Sequence, residues 1–297
     1  MNRRKFFKFT SLAAGYPLIS SFNLTAESTA EIPGYHIKLA LNAYSFNRPL
    51  QNGEMTLEEM IDYAGRLNFD AVDLTGYYFP GYPEVPSREY VNQIKRQAFL
   101  LGLDISGTGV RNDFTLAEED ERKRHIAHVK DWIITASELG APVVRVFAGK
   151  TIPDGYTWKQ AAQWTSDALI ECAEFGSKYG VMIALQNHND FITETSQLLY
   201  INEKVTSDWF GLMVDIGSFN ASDPYIEIAK AAPYAITWQI KEHVLVNGKK
   251  TETDFKQISR ILKGTNYRGY IPLETLGEGD PKVKMGKLIK QVRTALK

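Results

Sequence analysis

Cysteine is almost missing from this chain. Of 297 residues only Cys172 carries a thiol, so no intramolecular disulfide can form and no cysteine-based metal motif exists. Cys172 falls inside a helical pattern, 158–179, where it is expected to pack as a small apolar residue. An excess of one charge is also missing. Thirty-four Lys and Arg stand against 35 Asp and Glu, a formal net charge of −1, so no global field draws in nucleic acid or an anionic membrane. No apolar run reaches the roughly 20 residues that span a bilayer; the stretch from Thr10 to Ile19 is short and carries polar residues. Low-complexity segments, fixed-period repeats and linkers are absent too. What remains is a chain 44% hydrophobic and 23% charged, suited to one globular domain with a sizeable core.

The first residues read differently from the rest. "NRRKFFKFTSLAAGYPLISSF" places Arg3-Arg4 before Lys5, Phe6, Phe7 and Lys8, then a modest apolar run. This resembles a twin-arginine export signal. Ala26 or Ala30 can precede a cleavage site. The expectation is a signal over 1–30, a mature domain over 31–297 without a membrane span, the twin-arginine machinery as a partner, and a periplasmic or otherwise exported location. That route carries proteins already folded.

From Lys38 onward, short apolar runs alternate with amphipathic segments. Strands are expected over 38–45, 71–74, 104–110, 143–147, 181–186, 211–215, 236–241 and 269–274. Helices are expected over 56–67, 87–101, 118–139, 158–179, 195–205, 225–232, 254–263 and 281–296. Strand-then-helix at this spacing implies parallel β-α-β units with a covered sheet. Eight of each in about 260 residues is the size and count of a (β/α)8 TIM barrel in a single domain. An open doubly wound sheet would normally show a Gly-rich phosphate turn after its first strand, and "NAYSFNRPLQNG" has none. Turns entering the strands are short, with glycine in "ELGAP" and "KYGV" where a helix must stop. Loops leaving the strands are longer, polar and aromatic, as in "TGYYFPGYPEVP" and "AGKTIPDGYTW". "EHVLVNGKK" is read as one of these loops, with Glu242 and His243 facing water. In such a barrel, function gathers at the carboxyl ends of the strands.

Strand side chains alternate between barrel interior and helix layer. Gln186 shares a face with Met182 and Ala184, and His188 follows two residues on. Asp215 shares a face with Gly211 and Met213, Lys241 with Thr237 and Gln239, Glu274 with Tyr270 and Pro272, and Arg145 with Val143 and Phe147. If these faces are internal, the barrel mouth holds Arg145, Gln186, His188, Asp215, Gln239, Lys241 and Glu274. A charge at the end of a buried strand needs a partner or a ligand. One reading pairs Glu274 and Asp215 with Arg145 and Lys241 as plain ion pairs; the other makes them a site. Asn187 and Asp190 are expected to cap the following turn or helix. Asn112 either binds a sugar hydroxyl or holds a turn. Tyr78, among the aromatics of the loop after the second strand, and Trp158 either stack on a sugar ring or pack their loops. His125 and His128 lie on a helix and are expected at the surface.

In order along the strands, "FDAVDL", "TGVRNDF", "VVRVFAG", "ALQNHND", "GLMVDIGSFN", "ITWQIKEHV" and "GYIPLETLG" resemble the xylose-isomerase-like TIM barrels of the sugar phosphate isomerase and epimerase superfamily, over roughly 36–297. Endonuclease IV belongs to the same superfamily. The resemblance implies a divalent metal held, as in the ketose epimerases, by Glu, Asp, His and Glu at the ends of strands five to eight, the two glutamates also moving the proton beside a carbonyl. Asp215 and Glu274 match the Asp and the second Glu. Gln186 and Gln239 stand where the first Glu and the His belong, and Lys241 matches a lysine that contacts substrate oxygen. An amide can ligate a hard cation but brings no charge, so the implied Mg²⁺ or Mn²⁺ site, Asp215, Glu274, Gln186 and Gln239, is weakened, and it suits Zn²⁺ poorly. Gln186 cannot accept a proton, which leaves Glu274 as the leading base, with His188, Asp190 and Lys241 as candidate partners.

The function this implies is a sugar isomerase or epimerase, with arginine, lysine and the residues named above contacting a carbohydrate. A keto-glycoside lyase or hydratase on the same barrel, or a sugar-binding barrel without metal or activity, are the alternatives. A DNA-cleaving role would need clustered histidines and several zinc ions, and only His188 and His243 could lie near the mouth.

Overall fold

The amphipathic segments begin on residues that cap them. Thr56 and Thr157 accept from the backbone N–H three residues on, while Glu59 and Gln160 bond back to the cap, which satisfies two orphan donors at once. Ser87, Asp223, Asp254 and Asp280 cap in the same sense. Gly140 and Gly180 end their helices in the left-handed region, at φ 81° and 70°, as expected where a Cβ is disfavoured.

In the computed structural model, which describes residues 36–188 and 190–297, eight parallel strands close into a barrel. The expected signal over 1–30 and the domain start at 31 lie outside the described residues. The strands are β1 (Lys38–Asn42), β2 (Ala71–Thr75), β3 (Asp104–Gly109), β4 (Val143–Val146), β5 (Met182–Gln186), β6 (Phe210–Asp215), β7 (Ala235–Lys241) and β8 (Tyr270–Glu274). The helices between them are α1 (Leu57–Arg66), α2 (Arg88–Leu100), α3 (Glu119–Leu139), α4 (Trp158–Tyr179), α5 (Thr195–Lys204), α6 (Pro224–Ala231), α7 (Phe255–Gly264) and α8 (Pro281–Leu296). Ile37–Lys297 forms one compact unit. No helix among the described residues is long and apolar enough to cross a membrane.

Inside the barrel, Val143, Ala184 and Met213 pack with Met182 and Ile236 into an apolar floor. Two steps further along the same strands stand Arg145, Gln186 and Asp215, so the floor fixes which side chains face the mouth. The alternate residues, such as Val144, Val146, Leu185, Val214, Trp238 and Leu273, are fully buried on the side of the helices. Cys172 is buried within α4, and burial pushes its thiol up to about 12, an inert packing residue.

Two bulges adjust the register. Leu212 pairs with Ala235 and Met213 with Thr237, so Ile236 is an extra residue and Gln239 comes level with Asp215. Ser106 is similarly extra between the pairs Val72–Ile105 and Asp73–Gly107.

One expectation needs correction. The segment after β7 is not an open loop. His243–Val246 pairs antiparallel with Lys249–Glu252 and parallel with Asn220–Ala221. The turn is Asn247-Gly248, at φ 48° and 78°, the Asn-Gly pairing that a two-residue hairpin favours. That dipeptide was the available signal.

Candidate active site

The inward residues meet at the carboxyl ends of the strands, around a cavity of about 540 Å³. Its wall includes Asn42, Tyr77, Arg111, Asn112, Arg145, Gln186, His188, Gln239, Lys241 and Glu274. A cleft of this size is in the range of small-molecule sites.

Its base is a buried charge cluster. Lys241 Nζ lies 2.7 Å from Asp215 Oδ2 and 3.2 Å from Glu274 Oε2. Gln186 Nε2 donates to the same Asp215 oxygen at 2.8 Å, and Ser218 Oγ at 3.0 Å. Gly217 N–H donates to Asp215 Oδ1 at 3.0 Å. Gln239 Nε2 donates to Glu274 Oε2. Asp215 is fully buried and Glu274 nearly so. Burial pulls the Lys241 ammonium down, but the charges of Asp215 and Glu274 and their hydrogen bonds outweigh it, holding the group above the ordinary lysine value. Lys241 is therefore a fixed cation.

Local packing sets this arrangement. A Cβ built on Gly217 would lie 2.5 Å from Lys241 Cδ, so the lysine stem runs over bare backbone. Asn187 clamps β6 instead of capping the next turn: its Nδ2 donates to Asp215 O at 2.9 Å and its Oδ1 accepts from Asp215 N–H at 2.8 Å.

Arg145 does not pair with Glu274 or Asp215. Its Nη1 donates to Val110 O at 2.7 Å and its Nη2 to Tyr77 OH at 2.9 Å, with the guanidinium over the Phe147 ring at 4.1 Å. A Cβ on Gly109 would come within 2.8 Å of that guanidinium. The charge that senses Arg145 is Asp73, buried on β2, where it accepts from Asn42 Nδ2 at 3.1 Å and Ser106 Oγ at 3.4 Å. Burial pushes the Asp73 carboxyl up to about 6, with the Arg145 charge and the Ser106 bond opposing the rise.

A raised carboxyl has a signed consequence. The folded chain holds this proton more tightly than an unfolded chain titrating near 3.8. Its stabilising share is complete below that value and is lost as pH rises to about 6. Two pKa units correspond to ~3 kcal/mol. Asp73→Asn lacks this loss. Its stability relative to the native chain is expected to rise by ~3 kcal/mol between about pH 3.5 and 7.5, read by urea denaturation at each pH. A difference that does not change with pH would leave Asp73 with an ordinary carboxyl.

Other expected site residues spread out. His188 lines the cavity with its Nδ1 2.7 Å from Asp190 Oδ2 and its ring against Phe147 at 4.9 Å. It is half exposed. Asn112 also lines the cavity, but its Nδ2 donates to Phe147 O at 2.7 Å and its Oδ1 accepts from Phe147 N–H at 2.8 Å, which ties two loops together. Tyr78 turns away from the cavity wall and donates from its hydroxyl to Asn47 Oδ1 at 2.8 Å; burial raises that hydroxyl. Its neighbour Tyr77 takes the cavity position. Trp158 stacks on Phe191 at 5.4 Å with the planes 9° apart and does not line the cavity.

Residues not anticipated at the mouth are Arg111, His125, Lys150 and, beneath them, Asp73. Asp73 had a readable signal, a carboxylate between Val72 and Leu74 inside an apolar strand. His125, near the start of α3, also lines the cavity, which periodicity cannot show.

The donor set can be tested against the divalent ion that the resemblance implies. Asp215 Oδ2 takes three donor hydrogen bonds, from Gln186, Ser218 and Lys241, and Oδ1 takes one from Gly217. Gln186 and Gln239 present N–H groups rather than oxygen to the two carboxylates. The point between the carboxylates is filled by Lys241 Nζ. These residues do not fit a divalent cation.

The family model of the xylose isomerase-like TIM barrel matches residues 61–295. The chain belongs to that family. No curated protein matches it. Among solved structures, this xylose isomerase-like barrel is similar to D-psicose 3-epimerase from Clostridium cellulolyticum H10, solved with D-tagatose, at TM-score 0.70 and 15% identity over 88% of this chain and 100% of that one. It is similar to 3-keto-D-glucoside 4-epimerase from E. coli at TM-score 0.67 and 16% identity, over 87% and 100%. It is also similar to a probable 3-DHS dehydratase of petrobactin synthesis from Bacillus anthracis at TM-score 0.66 and 15% identity, over 85% and 99%. At these identities the likeness is one of fold.

Proposed function

We propose that this xylose isomerase-like barrel is an isomerase- or epimerase-like enzyme that removes a proton from the carbon beside a carbonyl of a carbohydrate. The observation that carries the reading is the pairing of Glu274 with Lys241 in the wall of one cavity. Glu274 Oε2 is engaged by Gln239 and Lys241; among the described residues, Oε1 has no hydrogen-bond partner and can take a proton. As the C–H bond breaks, its electron pair moves to the carbonyl oxygen, and a fixed ammonium beside the base stabilises that oxyanion. Lysine has three N–H donors. Two point to Asp215 and Glu274, which leaves one for a substrate oxygen.

Gln186 offers no second carboxylate, so the returning proton needs another source. The His188–Asp190 pair, three strands from Glu274 around the barrel, is the available group. Its partial exposure also favours a second reading, in which it protonates a leaving group and the same first step ends in elimination. Epimerases and a dehydratase among the similar structures support the general kind of chemistry. Arg145 and Tyr77 would orient the sugar from the opposite wall. With export through the Arg3-Arg4 signal, the substrate is an unphosphorylated sugar.

The test is deuterium exchange. The protein is incubated in D₂O with a panel of free ketoses and keto-glycosides, and products are read by NMR and mass spectrometry. Deuterium at the carbon beside the carbonyl, with the skeleton retained, supports the epimerase reading. An unsaturated product supports elimination. Saturable binding with neither outcome would make the protein a sugar-binding barrel.

A further inference from the structure

We infer that the Lys241 ammonium is a built-in replacement for the divalent cation at the centre of this site, and that the site operates without a metal ion. The catalytic half of this rests on the proposed proton-transfer chemistry; the binding half stands without it.

The cavity base holds two buried carboxylates from β6 and β8 that need a positive charge between them. Lys241 Nζ supplies it, at 2.7 Å from Asp215 and 3.2 Å from Glu274. The remaining inward groups have a matching polarity. A metal requires lone pairs directed at it from every side, whereas Gln186 and Gln239 direct N–H groups at the same two carboxylates. Each amide therefore serves a site whose cation lies on a side chain. Neither amide carries the negative charge that would offset a second positive ion next to Nζ.

The lysine is also held where it is. Its stem lies against Gly217, where any Cβ would collide with Cδ, and Thr253 Oγ1 donates to its backbone oxygen at 2.8 Å. A divalent ion approaching Asp215 and Glu274 would meet a fixed like charge at the distance of its own ligands. An ammonium in this position balances one of the two carboxylate charges and can donate to an oxyanion, the two tasks the reaction needs from a cation. It lacks the open coordination positions that bind two substrate oxygens at once.

The test is an EPR titration of Mn²⁺ into the chelator-treated full chain, which reads the free ion and requires no substrate. The native chain is expected to leave the free Mn²⁺ signal undiminished up to millimolar concentration. The variant Lys241→Met/Gln186→Glu/Gln239→His, with the ammonium removed and acceptors in place of the amides, is expected to bind Mn²⁺ at least about tenfold more tightly. Tight binding of one Mn²⁺ by the native chain, abolished in Glu274→Gln, would overturn the inference. So would a folded triple variant, by circular dichroism, that binds no better than the native chain. If the triple variant fails to fold, the native titration with its Glu274→Gln control still decides. Failure of the exchange assay above would leave this result untouched, so the two readings fall separately.

Discussion

Glu274→Gln is expected to lower deuterium exchange into the substrate by about 10²–10⁴-fold, the usual contribution of a positioned general base. The side chain keeps its length and shape, and an amide can still face Gln239 and Lys241. Asp215 remains to neutralise the ammonium. Far-UV circular dichroism and the melting temperature should therefore stay close to those of the native chain, and substrate affinity should change much less than the exchange rate. A variant that retains more than about a tenth of the native exchange rate would remove Glu274 from the role of base, since a loss that small is below what general bases supply. The work would then pass to the His188–Asp190 pair.

Replacing Lys241 by Met should act mainly on stability. The substitution leaves Asp215, fully buried, and Glu274, 3% exposed, without their counter-charge. Breaking a buried pair by deleting one partner costs about 3–5 kcal/mol. A domain of this size loses roughly 2–4 °C of melting temperature per kcal/mol, so a fall on the order of 10 °C is expected in calorimetry at neutral pH. Adding Glu274→Gln to Lys241→Met removes one of the orphaned charges and should restore part of the loss, a non-additivity characteristic of groups in contact. A single variant with native stability, or a double variant less stable than the single, would show that the ammonium does not neutralise these carboxylates.

How much of this could be read in advance differs between backbone and site. The barrel was legible because its signals are local and repeated: apolar runs of strand length, capped amphipathic stretches, glycine stops at Gly140 and Gly180. Strand parity then brought Arg145, Gln186, Asp215, Gln239, Lys241 and Glu274 to one mouth. What parity cannot give is which partner each chooses. Arg145 goes to Tyr77 and a backbone oxygen, because Gly109 opens space toward β3 and Asp73 offers charge from β2. Asn112 reads in sequence as a sugar-binding or turn amide and Asn187 as a cap, yet each spans a pair of backbone groups on a neighbouring segment. Trp158 and Tyr78 were plausible sugar platforms by type and position on the chain. Loop packing turned one onto Phe191 and the other onto Asn47. These choices depend on long-range contacts at separations that no sequence window contains.

The lane over Gly217 makes positions 217 and 241 a single trait. A methyl group at 217 would occupy the space of the lysine stem, so a relative bearing any side chain there must send its 241 residue elsewhere and leave the carboxylates to another cation. Gly217 two residues after Asp215, together with Lys241 two residues after Gln239, is thus a four-position signature that can be scored in any sequence of this family. On the inference drawn from Lys241, that signature, with glutamine rather than histidine at 239, is the pattern expected of a barrel that carries its cation on the chain.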